Sequence, residues 1–244
     1  MYGFSESKGF HYLQETKFNR DDLMRMDRPN IQPAPVFKEY PDSPKVELPK
    51  PDLSGKDLQE ALQNRRSRRR YARQAMSREE LSCLLWAAQG LTARMAGHVL
   101  RTSPSAGALY PIETYLVVHR VESIQAGLYH FDPLHFQLDA LEEGDFGPLL
   151  AKACLDQRFM AQAGVSFCWS AVLRRNFSKY GHRGLRYVFM DVGHICQNLL
   201  LAAEALGLSA CPVAAFFDEE INQIFQLDGR EESAVYCTSV GRSG

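Results

Sequence analysis

Asn64-Arg65-Arg66-Ser67-Arg68-Arg69-Arg70-Tyr71 crowds five arginines around one serine, and Arg73 follows two residues later. Like charges this dense repel one another unless solvent or a bound anion relieves them. Three readings fit such a run: a solvated surface, a nucleic-acid patch, or a seat for a phosphorylated cofactor. Guanidinium forks match phosphate oxygens in paired geometry, which suits the third. The chain carries 28 basic against 29 acidic residues, a formal net charge of −1, so no global field draws nucleic acid. The run also lacks interleaved aromatics, so no nucleic-acid partner is expected.

Working outward, residues 57–64 read as a helix leading into the arginines. Ser77-Arg78-Glu79-Glu80 is a capping box, followed by Leu81, Leu84, Leu85 and Ala88 at helical spacing and by Gly90 as a stop. Upstream, seven of the twelve prolines fall between positions 28 and 51. Such a stretch is an extended strap, because proline lacks the N–H and fixes φ. Residues 9–26 read as a polar helix or turn-rich arm.

Downstream, Pro104-Ser105-Ala106-Gly107-Ala108-Leu109-Tyr110-Pro111 has little bulk, so its backbone can approach a flat ring closely, though a simple turn also fits. Strands are expected at 114–119, 127–131, 136–141, 165–173, 210–216 and 234–240. A long helix at 183–206 has apolar surface on more than one side, and a further helix opens at Asp218. Mid-chain strands sit side by side, so the fold class is α+β rather than a doubly wound sheet. The division expected is 1–56 as N-terminal arm and strap, and 57–244 as the main domain.

Six scattered cysteines with no C-x-x-C read as buried thiols in a reducing compartment, not as a disulfide framework or zinc site. The histidines lack ligand spacing; no metal is expected, and His194 reads as a satisfied structural residue. Asn198 reads as a backbone bridge, and Arg101 as either an ion-pair member or an anion contact. The N-terminus lacks the apolar core of a secretory signal, and no apolar run reaches the roughly 20 residues of a membrane span. A cytoplasmic protein without membrane contact is expected. Neither G-x-G-x-x-G nor G-x-x-x-x-G-K occurs, which disfavours Rossmann and P-loop sites.

Arg65-Arg66-Ser67-x-Arg69 resembles the R-[RH]-S-x-[RK] element that opens the flavin site of the FMN-dependent nitroreductase superfamily. Pro104-Ser105-Ala106-Gly107 is similar to the second element of that family, which lies along the flavin ring. Ala210-Cys211-Pro212-Val213-Ala214-Ala215-Phe216 resembles the third, a strand and loop facing the ring near N5. Ser239-Val240-Gly241-Arg242 resembles the closing basic residue at the phosphate. The run from Arg101-Thr102 to Pro111, the stretch Asp191-x-Gly193-His194-x-x-Gln197-Asn198-Leu199, and Phe10-His11-Tyr12 with Tyr40-Pro41 look SagB-type.

The resemblance covers nearly the whole chain and implies a nitroreductase-like fold, with a central, mostly antiparallel sheet flanked by helices. It implies a homodimer with FMN at the interface, helix 183–206 being the natural interface element. Arg65, Arg66 and Arg242 would neutralise the FMN phosphate, and Ser67 would donate to phosphate or ribityl oxygens. Arg69 would stabilise the reduced ring near N1 and O2. Pro104, Ser105, Ala106 and Gly107 would line the ring, and backbone N–H groups around Pro212, Val213, Ala214 and Ala215 would meet N5. The family often has glycine where Ala214 and Ala215 stand, which questions positive φ there.

Lys179-Tyr180 matches the pair implicated in catalysis in SagB-type enzymes that oxidise azolines to azoles on peptides. A lysine with its pKa lowered by burial, or by Arg174, Arg175 and Arg183, could remove the ring proton; a surface lysine beside an anchoring tyrosine is the plain alternative. The expected activity is hydride transfer between FMN and a small molecule or modified peptide. Alternatives are NAD(P)H-dependent reduction of nitro compounds or quinones, and FMN binding without turnover.

Overall fold

Seven strands form one sheet in the order β1-β6-β5-β4-β7-β9-β8, and every neighbouring pair is antiparallel. They are β1 (Lys45–Glu47), β4 (Ile112–Val118), β5 (Gly127–Asp132), β6 (Gln137–Glu143), β7 (Val165–Val172), β8 (Leu208–Val213) and β9 (Glu232–Arg242), with β2 (Leu91–Met95) and β3 (His98–Arg101) forming a separate hairpin. The helices are α1 (Lys8–Glu15), α2 (Leu58–Asn64), α3 (Arg78–Gln89), α4 (Gly147–Ala153), α5 (Phe159–Gln162), α6 (Leu173–Tyr180), α7 (Gly184–Ala205) and α8 (Asp218–Ile224). This computed structural model describes residues 3–18, 20, 29–95 and 97–244.

Helices cover both faces of the sheet, so its central strands are buried on both sides. Along β7, Val165, Phe167, Trp169 and Ala171 enter a core built with α3 and α7, while Cys168 joins the opposite core with Leu150, Met160 and Ile221. The period of two places alternate side chains on opposite faces. All seven residues of β4 are buried for this reason. The α+β architecture with an antiparallel central sheet is therefore as the sequence indicates.

The predicted capping box is present: Ser77 Oγ accepts from Glu80 N at 3.2 Å, and Glu80 Oε2 accepts from Ser77 N at 2.9 Å. The strap lies across the body. Lys45 meets Asp139 at 2.7 Å, Tyr40 Oη meets Tyr115 Oη at 3.0 Å, and Lys38 meets Glu232 at 2.6 Å. Its proline-free Lys45-Val46-Glu47 adds an edge strand, the one place in a sheet where flanking prolines are tolerated.

Several expectations need correction. The helix of the arm ends at Glu15, and positions 19 and 21–26 of the predicted arm lie outside the described residues. The segment after Gly90, read as a loop, is the β2–β3 hairpin. Strand β7 gives way at Leu173 to α6, a helix the sequence reading lacked. The strand expected at 210–216 ends at Val213.

Candidate active site

The arginine run is laid out as an extended segment along the sheet edge. Ser67 bridges Ala210, Arg68 N donates to Ala210 O at 2.9 Å, and Ala72 N donates to Arg242 O at 3.0 Å. The first and third motifs of the family resemblance thereby meet through backbone, although 140 positions separate them in sequence. An extended chain sends alternate side chains to opposite sides. Arg68 turns to Glu204 on α7, at 2.5 Å. Arg69 turns the other way, its guanidinium 5.7 Å from the Phe159 ring centre.

Two thiols register Arg65, which is half-buried, and Arg69, which is exposed. Burial pushes the Cys196 thiol up to about 11, against a downward pull that includes Arg65. Burial likewise raises Cys211, and Arg69 draws it down. Among the described residues, Arg65, Arg69 and Arg70 enter no ion pair. Arg66 folds onto its own backbone, donating to Gln63 O and Arg65 O. Arg242 turns to Glu80, at 2.7 Å, so its guanidinium and that of Arg66 serve different partners.

In the third element Pro212 is half-buried and Val213 buried, while Ala214 and Ala215 are exposed. Neither alanine adopts positive φ, so this loop does without the glycine conformation. Gln157 fixes it by donating to Ala215 O at 3.2 Å.

Loop 104–111 carries the tightest geometry. Gly107 has φ of +65°, and a β-carbon built on it would lie 2.6 Å from Tyr180 Oη and 2.7 Å from Lys179 Nζ. The tips of the Lys-Tyr pair thus lie against the small-residue loop at Gly107, where a side chain would displace them and where positive φ favours glycine. Ala108 and Tyr110, at φ of 54° and 45°, are also left-handed without being glycine. Backbone of this kind persists where surrounding contacts over-determine it, and it clusters at functional sites.

Side-chain hydrogen bonds fix this backbone. Ser105 Oγ donates to Asp191 Oδ2 at 2.6 Å and accepts from Tyr110 N at 2.9 Å. Tyr110 Oη accepts from Arg101 N at 3.0 Å, and Tyr110 O accepts from Arg175 Nη1 at 2.9 Å. Asn198 does bridge, donating to Ser103 Oγ at 3.0 Å.

Lys179 is exposed rather than buried. The three arginines expected to act on it have other partners. Arg174 faces Glu231, Arg175 faces Glu113, and Arg183 donates to Thr16 O and stacks on Phe18. His194 is exposed on α7 rather than satisfied in the core. Arg101 is buried against Gln89 and the Tyr110 ring and forms no ion pair among the described residues; burial lowers it to about 10, against the pull of Glu113.

Sequence reasoning missed a buried row of charge. Arg175 Nη1 meets Glu113 Oε1 at 2.6 Å as an ion pair, without hydrogen-bond alignment. Glu113 Oε2 meets His130 Nε2 at 3.0 Å, and His130 Nδ1 meets Asp139 Oδ2 at 3.1 Å. Asp139 then holds Lys45 of the strap. The available signal was Glu113 and His130 set among apolar neighbours on central strands.

A model of the nitroreductase family matches residues 62–242. The chain is 37% identical over 197 residues to MJ1384 of Methanocaldococcus jannaschii, a candidate nitroreductase, covering 81% of this chain and 96% of that one. It is 30% identical over 139 residues to the microcin B17-processing protein McbC of Escherichia coli, covering 55% of this chain and 51% of McbC. A crystal structure of a candidate nitroreductase from Anabaena variabilis superposes with a TM-score of 0.73 at 30% identity, over 84% of this chain but only 42% of that chain. With its arginine segment, small-residue loop and antiparallel sheet in place, the chain belongs to the nitroreductase family of flavin oxidoreductases.

Proposed function

We propose that this chain is an FMN-dependent dehydrogenase of the SagB type, acting on an azoline in a modified peptide or a similarly dehydrogenated small molecule. The observation that carries the reading is the contact of Gly107 with Lys179 Nζ and Tyr180 Oη. It joins proton-handling groups to the loop that the family resemblance assigns to the ring. McbC, a peptide-processing protein by name, supports a peptide substrate.

The residues present fit the cofactor. Among the described residues Arg65, Arg66, Arg69 and Arg70 have no carboxylate partner along the extended segment, and Ala214 and Ala215 are exposed and without bulk. Arg65, Arg66 and Ser67 would hold the phosphate by charge-assisted hydrogen bonds. Arg69 would supply a fixed cation to the ring, Pro104–Gly107 and Pro212–Ala215 would bracket it, and Arg242 would join by exchanging Glu80 for phosphate. FMN, when bound, supplies the acceptor for the hydride. Lys179 takes the ring proton of the substrate, and Tyr180 holds the reacting ring by its hydroxyl.

A second copy fits the same reading. Asp191, which holds Ser105, and Glu204, which holds Arg68, lie thirteen residues apart on α7, about 20 Å at the helical rise. Two antiparallel α7 helices would bring the loop of one chain to the arginines of the other. Phe189 and Met190, 53% and 55% exposed, and Gly193, with open space where a β-carbon would stand, are the surface for it. Six buried free cysteines suit a reducing cytoplasm.

The second reading is NAD(P)H-dependent reduction of nitro compounds or quinones, favoured by the match across nearly all of MJ1384. The test offers FMN-reconstituted protein a thiazoline peptide and, separately, NADH with menadione. Azole formation is expected, slowed about 10²-fold or more in Lys179→Ala with bound flavin retained. Quinone reduction alone, or azole formation unchanged by Lys179→Ala, would replace the first reading.

A further inference from the structure

We propose that Asp191 is a positioning residue, which through Ser105 holds loop 104–111 in the shape that seats Gly107 against Lys179 and Tyr180. The role in turnover rests on the dehydrogenase reading above; the role in shaping the loop does not.

Asp191 is buried, 4% exposed, and forms no ion pair among the described residues. A lone buried carboxylate is costly, and an apolar residue on this face of α7 would pack without that cost. What the carboxylate does instead is hold the loop. Its Oδ2 accepts from Ser105 Oγ at 2.6 Å, and the same hydroxyl accepts from Tyr110 N at 2.9 Å, closing the loop across five residues. Ala106 N–H also reaches the carboxylate; burial pushes the Asp191 carboxyl up, and the Ser105 and Ala106 hydrogen bonds pull it back.

These contacts bracket the strained part of the loop. Ala106 precedes Gly107 and Ala108, both at positive φ, and Tyr110, itself at positive φ, follows them. L residues hold that conformation where their surroundings fix it. Two turns along α7, Asn198 donates to Ser103 Oγ at 3.0 Å, and that hydroxyl donates to Ala88 O at 2.7 Å. The stretch Asp191 to Asn198 is therefore a pair of staples on one helix face, anchoring the loop at its entry and at its bend. The motif gains a physical reason: it carries the shape of the loop, not a contact with substrate.

The experiment compares Asp191→Leu, Asp191→Asn and Ser105→Ala in the full-length, FMN-reconstituted protein, by amide hydrogen exchange and by turnover of a thiazoline peptide. Exchange at Ala106 and Tyr110 should rise about tenfold or more in Asp191→Leu and Ser105→Ala. Asp191→Asn keeps an acceptor for Ser105 and should restore most of the protection. Turnover should fall about tenfold in Asp191→Leu and Ser105→Ala with KM little changed, and this loss should vanish in a Lys179→Ala background, because groups acting as a unit are non-additive. Should Asp191→Leu fail to fold, Ser105→Ala carries the same comparison. Unchanged exchange, or a turnover loss equally large with and without Lys179, overturns the proposal. A wild type inert toward the peptide overturns the dehydrogenase reading instead, and the exchange result then decides the role of Asp191 by itself.

Discussion

Two regions of this molecule concentrate charge, and they handle it in opposite ways. In the row Arg175, Glu113, His130 and Asp139 every member is 3% exposed or less, and each meets an opposite or hydrogen-bonding neighbour. In the segment Arg65 to Arg70 the side chains are exposed or half-buried, and among the described residues only Arg68 has a carboxylate partner. Charge that is buried must be matched within the fold, because leaving it unmatched is prohibitive. Charge crowded at the surface without partners is matched from outside. The first region is architecture tying the strap to α6; the second, in the function proposed above, is the seat of an anion.

The sharpest way to break this contrast is to unpair the buried row. Glu113→Ala leaves Arg175 and His130 without their shared carboxylate and should cost about 3–5 kcal/mol of stability, read from the urea midpoint. A midpoint within error of wild type would show the row to be incidental.

A subtler version uses pH. Burial would raise the Glu113 carboxyl, but Arg175 and His130 outweigh it and hold it at about 2, below the ordinary 4.5. A depressed carboxyl stabilises fully above pH 4.5, and the contribution fades as pH falls toward 2. His130 has the opposite sign: burial lowers it, but the hydrogen bonds of Asp139 and Glu113 raise it above 6.5. Its contribution is complete below pH 6.5 and fades as pH rises through the raised value. The stability gap between wild type and Glu113→Ala should therefore be widest between pH 4.5 and 6.5 and narrow on either side. A gap independent of pH from 3 to about 9 would contradict the row's charge state.

The smallest effect belongs to the exposed segment. Arg68 and Glu204 form an ion pair with Arg68 39% exposed, so Arg68→Ala should cost no more than about 1 kcal/mol. A loss as large as that of Glu113→Ala would erase the distinction.

What the sequence disclosed follows the same division. The arginine segment, the capping box, the long helix and five of the central strands were legible because their signals are local: spacing, caps and apolar runs. The β2–β3 hairpin escaped notice although Leu91-Thr92-Ala93-Arg94-Met95 alternates as a strand does and Gly97, at φ of +80°, stands at the turn; its two strands are short and pair only with each other, outside the main sheet. Helix α6 was hidden because Arg174-Arg175 ends the apolar run of β7, and nothing local marks Arg175 as a buried residue. Glu113, His130 and Asp191 declare their roles only through partners distant in sequence, and one chain read alone cannot pair them. Lys179 was found by its dipeptide, but its exposure depends on how α6 leaves the sheet.

The most direct measurement is the FMN dissociation constant of wild type, Arg65→Ala and Arg68→Ala, titrated by flavin fluorescence at one salt concentration. Each variant loses one positive charge from the same segment. The account predicts roughly tenfold or greater weakening for Arg65→Ala and a change within about twofold for Arg68→Ala, whose charge Glu204 already answers. Equal losses in the two variants, or FMN binding by neither variant nor wild type, would contradict it.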